Sequence, residues 1–306
     1  MITQKQSEIA KMIEQAMLND GAKRSMQKEL FNTILNDFLL KRDGNGPLDY
    51  GDYKETFEKT YKEFNTIDGF TTYYVEPSEN YEKVIFDLHG GAYVFSAGKE
   101  HYAYIVEISK ALNARVYVPD YPLAPKCTCK DAYDFLNKLY PEILKAEEGK
   151  DIIFMGDSAG GGLAFAYSEY LFENNMPGIP TARVFYSPWV DCSGENKEQW
   201  AMRDVDPLLD IYGLFMCGRM WIGDDLGTDP KINVIFGDMK SNIKTLLFAG
   251  TKELLYPDVK RSYDKLVANG CEVELVLGEN MFHCYPVFVP DVGAEALGIV
   301  KDFLDK

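Results

Sequence analysis

Apolar residues recur at helical spacing over residues 2 to 41: Ile9, Met12, Ile13 and Met17, then Leu30, Ile34, Leu35, Phe38 and Leu39. This predicts two amphipathic helices broken around Asp20-Gly21. Asp43-Gly44-Asn45-Gly46-Pro47 is a strong break and reads as a linker, and residues 50 to 64 read as a further short helix or irregular segment. The pattern then changes. Thr71-Thr72-Tyr73-Tyr74-Val75 is rich in β-formers, and Lys83-Val84-Ile85-Phe86-Asp87-Leu88 is nearly continuous in apolar residues. From there helices over about 100–112, 130–146 and 159–173 alternate with strands over 114–118, 151–155 and 182–187. After a longer excursion come a strand over 244–249, a helix over 257–269, a strand over 272–277 and a last helix over about 291–305. Apolar strands alternating with amphipathic helices predict an α/β fold whose mostly parallel sheet is covered on both faces.

Two stretches stand apart from this alternation. Residues 1–45 read as an N-terminal helical region, expected either as a cap over a catalytic domain spanning 46–306 or as helices packed on the outside of its core. Residues 192–242 hold helical signals from Pro207 to Met220 but no strand. An insertion of that length at the ligand end of a sheet is expected to act as a lid or pocket wall. Tyr93, Trp189, Leu208 and Phe215 are the candidate pocket-lining residues.

The formal net charge of -16 argues against binding a phosphate backbone, so no nucleic acid is expected. No run of 18 or more apolar residues occurs, and the first eight residues lack the basic start and apolar stretch of a secretion signal. A cytoplasmic location is the expectation, and a homodimer is the assembly kept open. Six scattered cysteines, with Cys127-Thr128-Cys129 at the wrong spacing for a zinc knuckle or a redox pair, read as reduced thiols, and no metal is expected.

Candidate chemistry centres on Gly156-Asp157-Ser158-Ala159-Gly160, where an apolar strand breaks into glycine and serine. The pattern G-x-S-x-G is that of a nucleophile elbow, with Ser158 at the tip of a sharp strand-to-helix turn. Such a serine needs a base, a carboxylate to orient the base, and donors for the oxyanion. Of the three histidines, His89, His101 and His283, only His283 follows the serine, as the chain order serine, acid, histidine requires. Glu253 and Asp258 both follow the strand over 244–249. Glu253 is preferred as the acid because it lies nearer the strand end, whereas Asp258 at a helix start beside Pro257 suits a structural role. Gly90, Gly91 and Ala159 are the expected oxyanion donors, through the loop after residues 83–88 and the N–H following the nucleophile.

These motifs resemble those of the hormone-sensitive-lipase group of α/β-hydrolases, which includes many microbial carboxylesterases and acetyl esterases. The resemblance covers about residues 84–288 and rests on His89-Gly90-Gly91, Asp120-Tyr121-Pro122-Leu123-Ala124-Pro125, Gly156 to Gly161, Ser187-Pro188-Trp189-Val190-Asp191, Asp206-Pro207 and the Glu253 and His283 loops. It implies an eight-stranded sheet with one antiparallel strand, a helical cap, and hydrolysis of short-chain acyl esters without a cofactor. The chain departs from the pattern at Ala92, where a third glycine is common, and at Glu253-Leu254-Leu255, where Asp-Pro-Leu is common. In that group the histidine of His-Gly-Gly supports its loop, so His89 is given no proton-transfer role. Asp120 and Asp191 read as loop anchors. The alternatives are an amidase or arylformamidase on the same triad, and a ligand-binding protein on a hydrolase scaffold, against which the presence of His283 counts.

Overall fold

A computed structural model describes residues 53–77, 80–225 and 227–306. The expected helical cap over residues 1–45 and the linker after it lie outside the described residues. Among those described, a short helix, α1 (Lys54–Thr60), leads into eight strands: β1 (Lys62–Ile67), β2 (Phe70–Val75), β3 (Lys83–Leu88), β4 (Ala114–Pro119), β5 (Ile152–Asp157), β6 (Ala182–Tyr186), β7 (Lys244–Gly250) and β8 (Val273–Gly278). They form one sheet in the order β1-β2-β4-β3-β5-β6-β7-β8. β2 runs antiparallel to both its neighbours, β1 and β4, and all other pairs are parallel.

The parallel strands bury both faces. Val84, Phe86 and Leu88 of β3 enter one core cluster while Ile85 enters the other, and Phe154 and Met155 of β5 divide in the same way. Side chains of a strand alternate between faces, so a strand with two buried faces reads as an unbroken apolar run. The first face is covered by α3 (Cys129–Ala146) and α4 (Ser158–Glu173), and the second by α2 (Lys99–Leu112) and α9 (Pro290–Leu304). β1 has no buried residue and is broken by an irregularity between Glu63 and Asn65, which is why its polar sequence does not read as a strand.

The stretch over 192–242 contains no strand among its described residues, as expected. It holds α5 (Lys197–Ala201), α6 (Ile211–Ile222) and 3-10 turns at Met202–Asp204 and Val234–Phe236. It is followed by α7 (Tyr256–Ala268) after β7, and α8 (Tyr285–Phe288) precedes α9. All six cysteines are free, and no described helix is long and apolar enough to cross a membrane.

Candidate active site

The carboxyl ends of the parallel strands β3, β5, β6, β7 and β8 bring their following loops to one edge of the sheet, which is where ligands bind in open α/β folds. At the end of central strand β5 the chain enters α4 at once, and Ser158 takes φ +50°, a left-handed conformation costly for a residue with a Cβ. The turn is tight on both sides of the serine. A Cβ at Gly156 would press on the Leu88 carbonyl, and one at Gly160 would overlap the carbonyls of both Leu88 and His89. The two glycines of the motif are therefore required by contact with the end of β3.

Ser158, His283 and Glu253 come together as the sequence predicts. Ser158 Oγ lies 2.8 Å from His283 Nε2, and His283 Nδ1 lies 3.2 Å from Glu253 Oε2. The carboxylate can only accept, so Nδ1 carries the ring proton and Nε2 accepts from the serine hydroxyl. All three residues are buried. Burial alone would pull the His283 pKa down, but the hydrogen bond and charge of Glu253, with Asp206 and Asp157 adding, raise it above its ordinary value. Asp258 is not part of this chain of bonds. Its Oδ1 accepts from Asn196 Nδ2 at 2.6 Å and from Arg261 Nη1 at 2.7 Å, which ties α7 to the start of α5.

The loop after β3 departs from expectation at one donor. Gly90 N donates to Asp157 Oδ1 at 2.8 Å, so this N–H is already engaged and does not face an oxyanion. A Cβ at Gly90 would overlap the Asp157 carboxylate, so the glycine is needed for this docking. Gly91 follows with φ +123°, then Ala92 with φ +54° and Tyr93 with φ +63°. Ala159 lies in the first turn of α4, where N–H groups have no intrahelical acceptor. His89 stacks on Tyr121, and its Nδ1 hydrogen-bonds the Gly90 carbonyl at 2.6 Å. Burial pushes its pKa down to about 4, consistent with a neutral ring that shapes the loop.

Two of the expected pocket residues are core residues instead. Tyr93 is 0% exposed and Trp189 2%, and a side chain lining an open pocket must present surface. Tyr93 stacks on Trp221 at 4.1 Å between ring centroids and on Trp189 at 5.5 Å, which closes the three rings together. Leu208 and Phe215, from the 192–242 stretch, are exposed.

Two further residues support the site. Ser187, at the end of β6 with φ +47°, donates from Oγ to Glu253 Oε2 at 2.8 Å and accepts from Cys284 N at 3.1 Å. It thereby joins the acid to the histidine loop. The Asp206 carboxylate accepts from Leu208 N, Leu209 N and Leu254 N at 2.7–2.8 Å and fixes the backbone beside Glu253. Burial pushes Asp206 up to about 6, against the pull of those N–H groups. Asp-Pro at 206 and Ser-Pro at 187 mark turns in the sequence, but no local pattern links either to Glu253.

A family model described as the α/β-hydrolase fold matches residues 85–287. The chain is similar to an esterase of Acinetobacter venetianus, 29% identical over 208 residues that span 67% of this chain and 68% of that protein. It is also similar to Esterase LipU of Mycobacterium tuberculosis, 32% identical over 226 residues, 70% of this chain and 73% of that one. Among solved structures, an esterase of the bacterial hormone-sensitive lipase family shares the fold with a TM-score of 0.73, at 22% identity over 91% of this chain and 97% of the other.

Proposed function

This chain belongs to the α/β-hydrolase family and is a carboxylic ester hydrolase, and we propose that it acts through an acyl-enzyme on Ser158, with short-chain acyl esters as substrates. The observation that carries the reading is the unbroken line of contacts from Ser158 Oγ through the His283 ring to Glu253 Oε2. In the first half-reaction His283 Nε2 takes the hydroxyl proton as Ser158 Oγ attacks the ester carbonyl. Glu253 holds the ring in its Nδ1–H tautomer and stabilises the imidazolium that forms. The negative oxygen is received by backbone N–H groups of Gly91 and Ala159, with Ala92 replacing Gly90 as the remaining donor. Its methyl leaves the N–H intact, and its positive φ continues the turn begun at Gly91. His283 then returns the proton to the departing alcohol. In the second half-reaction the same nitrogen takes a proton from water, which releases the acid.

Hydrolysis of p-nitrophenyl acetate by the wild-type protein and by Ser158→Ala tests the nucleophile. The variant is expected at the uncatalysed background, and wild-type turnover by it would overturn the proposal. Acyl chains from acetate to decanoate should show a decline in kcat/KM with length, and a matched anilide should be a poorer substrate than the ester.

A further inference from the structure

His101 has no part in the proton transfers above, yet it is buried against the residue that precedes the nucleophile. It stands in the first turn of α2, and its Nε2 lies 3.2 Å from Asp157 Oδ2. Its Nδ1 accepts from Gly98 N at 3.1 Å, which places the ring proton of the neutral form on Nε2, directed at Asp157. The other oxygen of the same carboxylate, Oδ1, accepts the Gly90 N–H. A single carboxylate thus joins α2, the elbow and the loop that carries Gly91 and Ala92. The ring is also held edge-on by Phe288 at 5.9 Å between centroids.

That loop needs an external clamp. Gly91, Ala92 and Tyr93 are three consecutive residues at positive φ, and at Ala92 and Tyr93, which carry a Cβ, this is strain that persists only where the surroundings determine it. On its far side the run is tied by Ala124 N donating to the Tyr93 carbonyl at 2.8 Å. On its near side the ties are Tyr121 Oη donating to the His89 carbonyl at 2.8 Å and Gly90 N donating to Asp157. Asp157 is the only one of these partners that adjoins Ser158, so its carboxylate ties the loop to the nucleophile's own segment, beyond the backbone contact of the elbow with the end of β3. Its side chain has torsional freedom that the backbone carbonyls lack, and His101 removes it.

We propose that His101 is a positioning residue of the oxyanion hole: it orients Asp157, which holds Gly90 and thereby fixes the direction of the Gly91 and Ala92 N–H groups relative to Ser158. The inference rests on the serine-esterase reading above, and it concerns a residue outside the triad. Because oxyanion donors act on the tetrahedral state more than on the bound ester, the role belongs to kcat.

The test uses His101→Ala, His101→Gln and His101→Asn in the full chain. Gln places an amide N–H near the position of Nε2, whereas Asn is too short to reach it. His101→Ala and His101→Asn are expected to lose about 10- to 100-fold in kcat on p-nitrophenyl acetate, with KM within about twofold of wild type, since a misplacement of about 1 Å has effects of this size. His101→Gln should recover most of the loss. A trifluoromethyl ketone, which adds reversibly to the serine and leaves a negative oxygen in the hole, should lose affinity by a factor similar to the loss in kcat/KM. Hydrogen exchange of the Gly90 amide supplies a readout independent of turnover, and it should accelerate in the Ala and Asn variants and not in the Gln variant. Unchanged Gly90 exchange, a loss confined to KM, or equal behaviour of Gln and Asn would each overturn the proposal. If His101→Ala does not fold, the Gln and Asn pair decides. A wild-type protein that hydrolyses no ester would sink the esterase reading instead, and Gly90 exchange would still decide whether His101 holds the loop.

Discussion

At Glu253 the two carboxylate oxygens are used unequally. Oε2 meets both His283 and Ser187, while Oε1 is buried with no hydrogen-bond partner among the described residues. The orientation of the His283 ring therefore rests on one oxygen, and Glu253→Gln would bring an amide N–H into competition for that place. An inverted ring tautomer results, and kcat is expected to fall by about 10⁴-fold, as when a triad acid is replaced by its amide. The pH dependence follows from the same pair. On the proposed mechanism the base must be neutral to accept the serine proton, so kcat/KM is expected to rise as pH passes upward through the His283 pKa. Because Glu253 raises that pKa, the wild-type limb should lie above the ordinary imidazole value of about 6.5. In Glu253→Gln the residual activity should titrate at lower pH, and kcat/KM profiles of both proteins check the sign.

Among the elements, the stretch over 192–242 meets the candidate site through Asp206. Replacing it with alanine leaves three backbone N–H groups without their acceptor, each costing about 1–3 kcal/mol where buried. Asp206→Ala is expected to lower Tm and to reduce kcat by about tenfold, because Leu254 is released beside Glu253. Asp206→Asn, which keeps an acceptor oxygen, should lose less of both, and thermal melts with parallel kinetics separate the two variants. The sequence displays some of these relations and conceals others. Strands β3 to β7 are legible because burial on both faces writes them as apolar runs. β1 is not, since among the described residues it is an edge strand with one neighbour and no buried residue, and has no such constraint. Ser158 and His283 are legible from chain order and local turn chemistry. The capture of Gly90 by Asp157 is not, because the bond spans 67 residues and forms only where β3 and β5 pair side by side. Tyr93 and Trp189 mislead for a related reason: an aromatic residue after a strand end suits a pocket wall or a buried stack equally, and only packing against Trp221 distinguishes them.

For the whole molecule, folding is a small difference between large terms, so a single strained residue registers in the total. Ser158 sits in the left-handed region at the junction of the central strand and the helix it leads into. The turn around it packs so closely on the end of β3 that positions 156 and 160 have no room for a Cβ. If Ser158 is the nucleophile, turnover and thermal endurance pull in opposite directions at position 158. Ser158→Ala and Ser158→Gly both remove the hydroxyl and its bond to His283, but only glycine relieves the backbone. The glycine variant is expected to be the more stable by about 1 kcal/mol, read as a higher Tm in matched melts. An equal or lower Tm for glycine would mean that the turn carries no such load. On the proposed mechanism, the strain at this turn is stability given up to present the hydroxyl of Ser158.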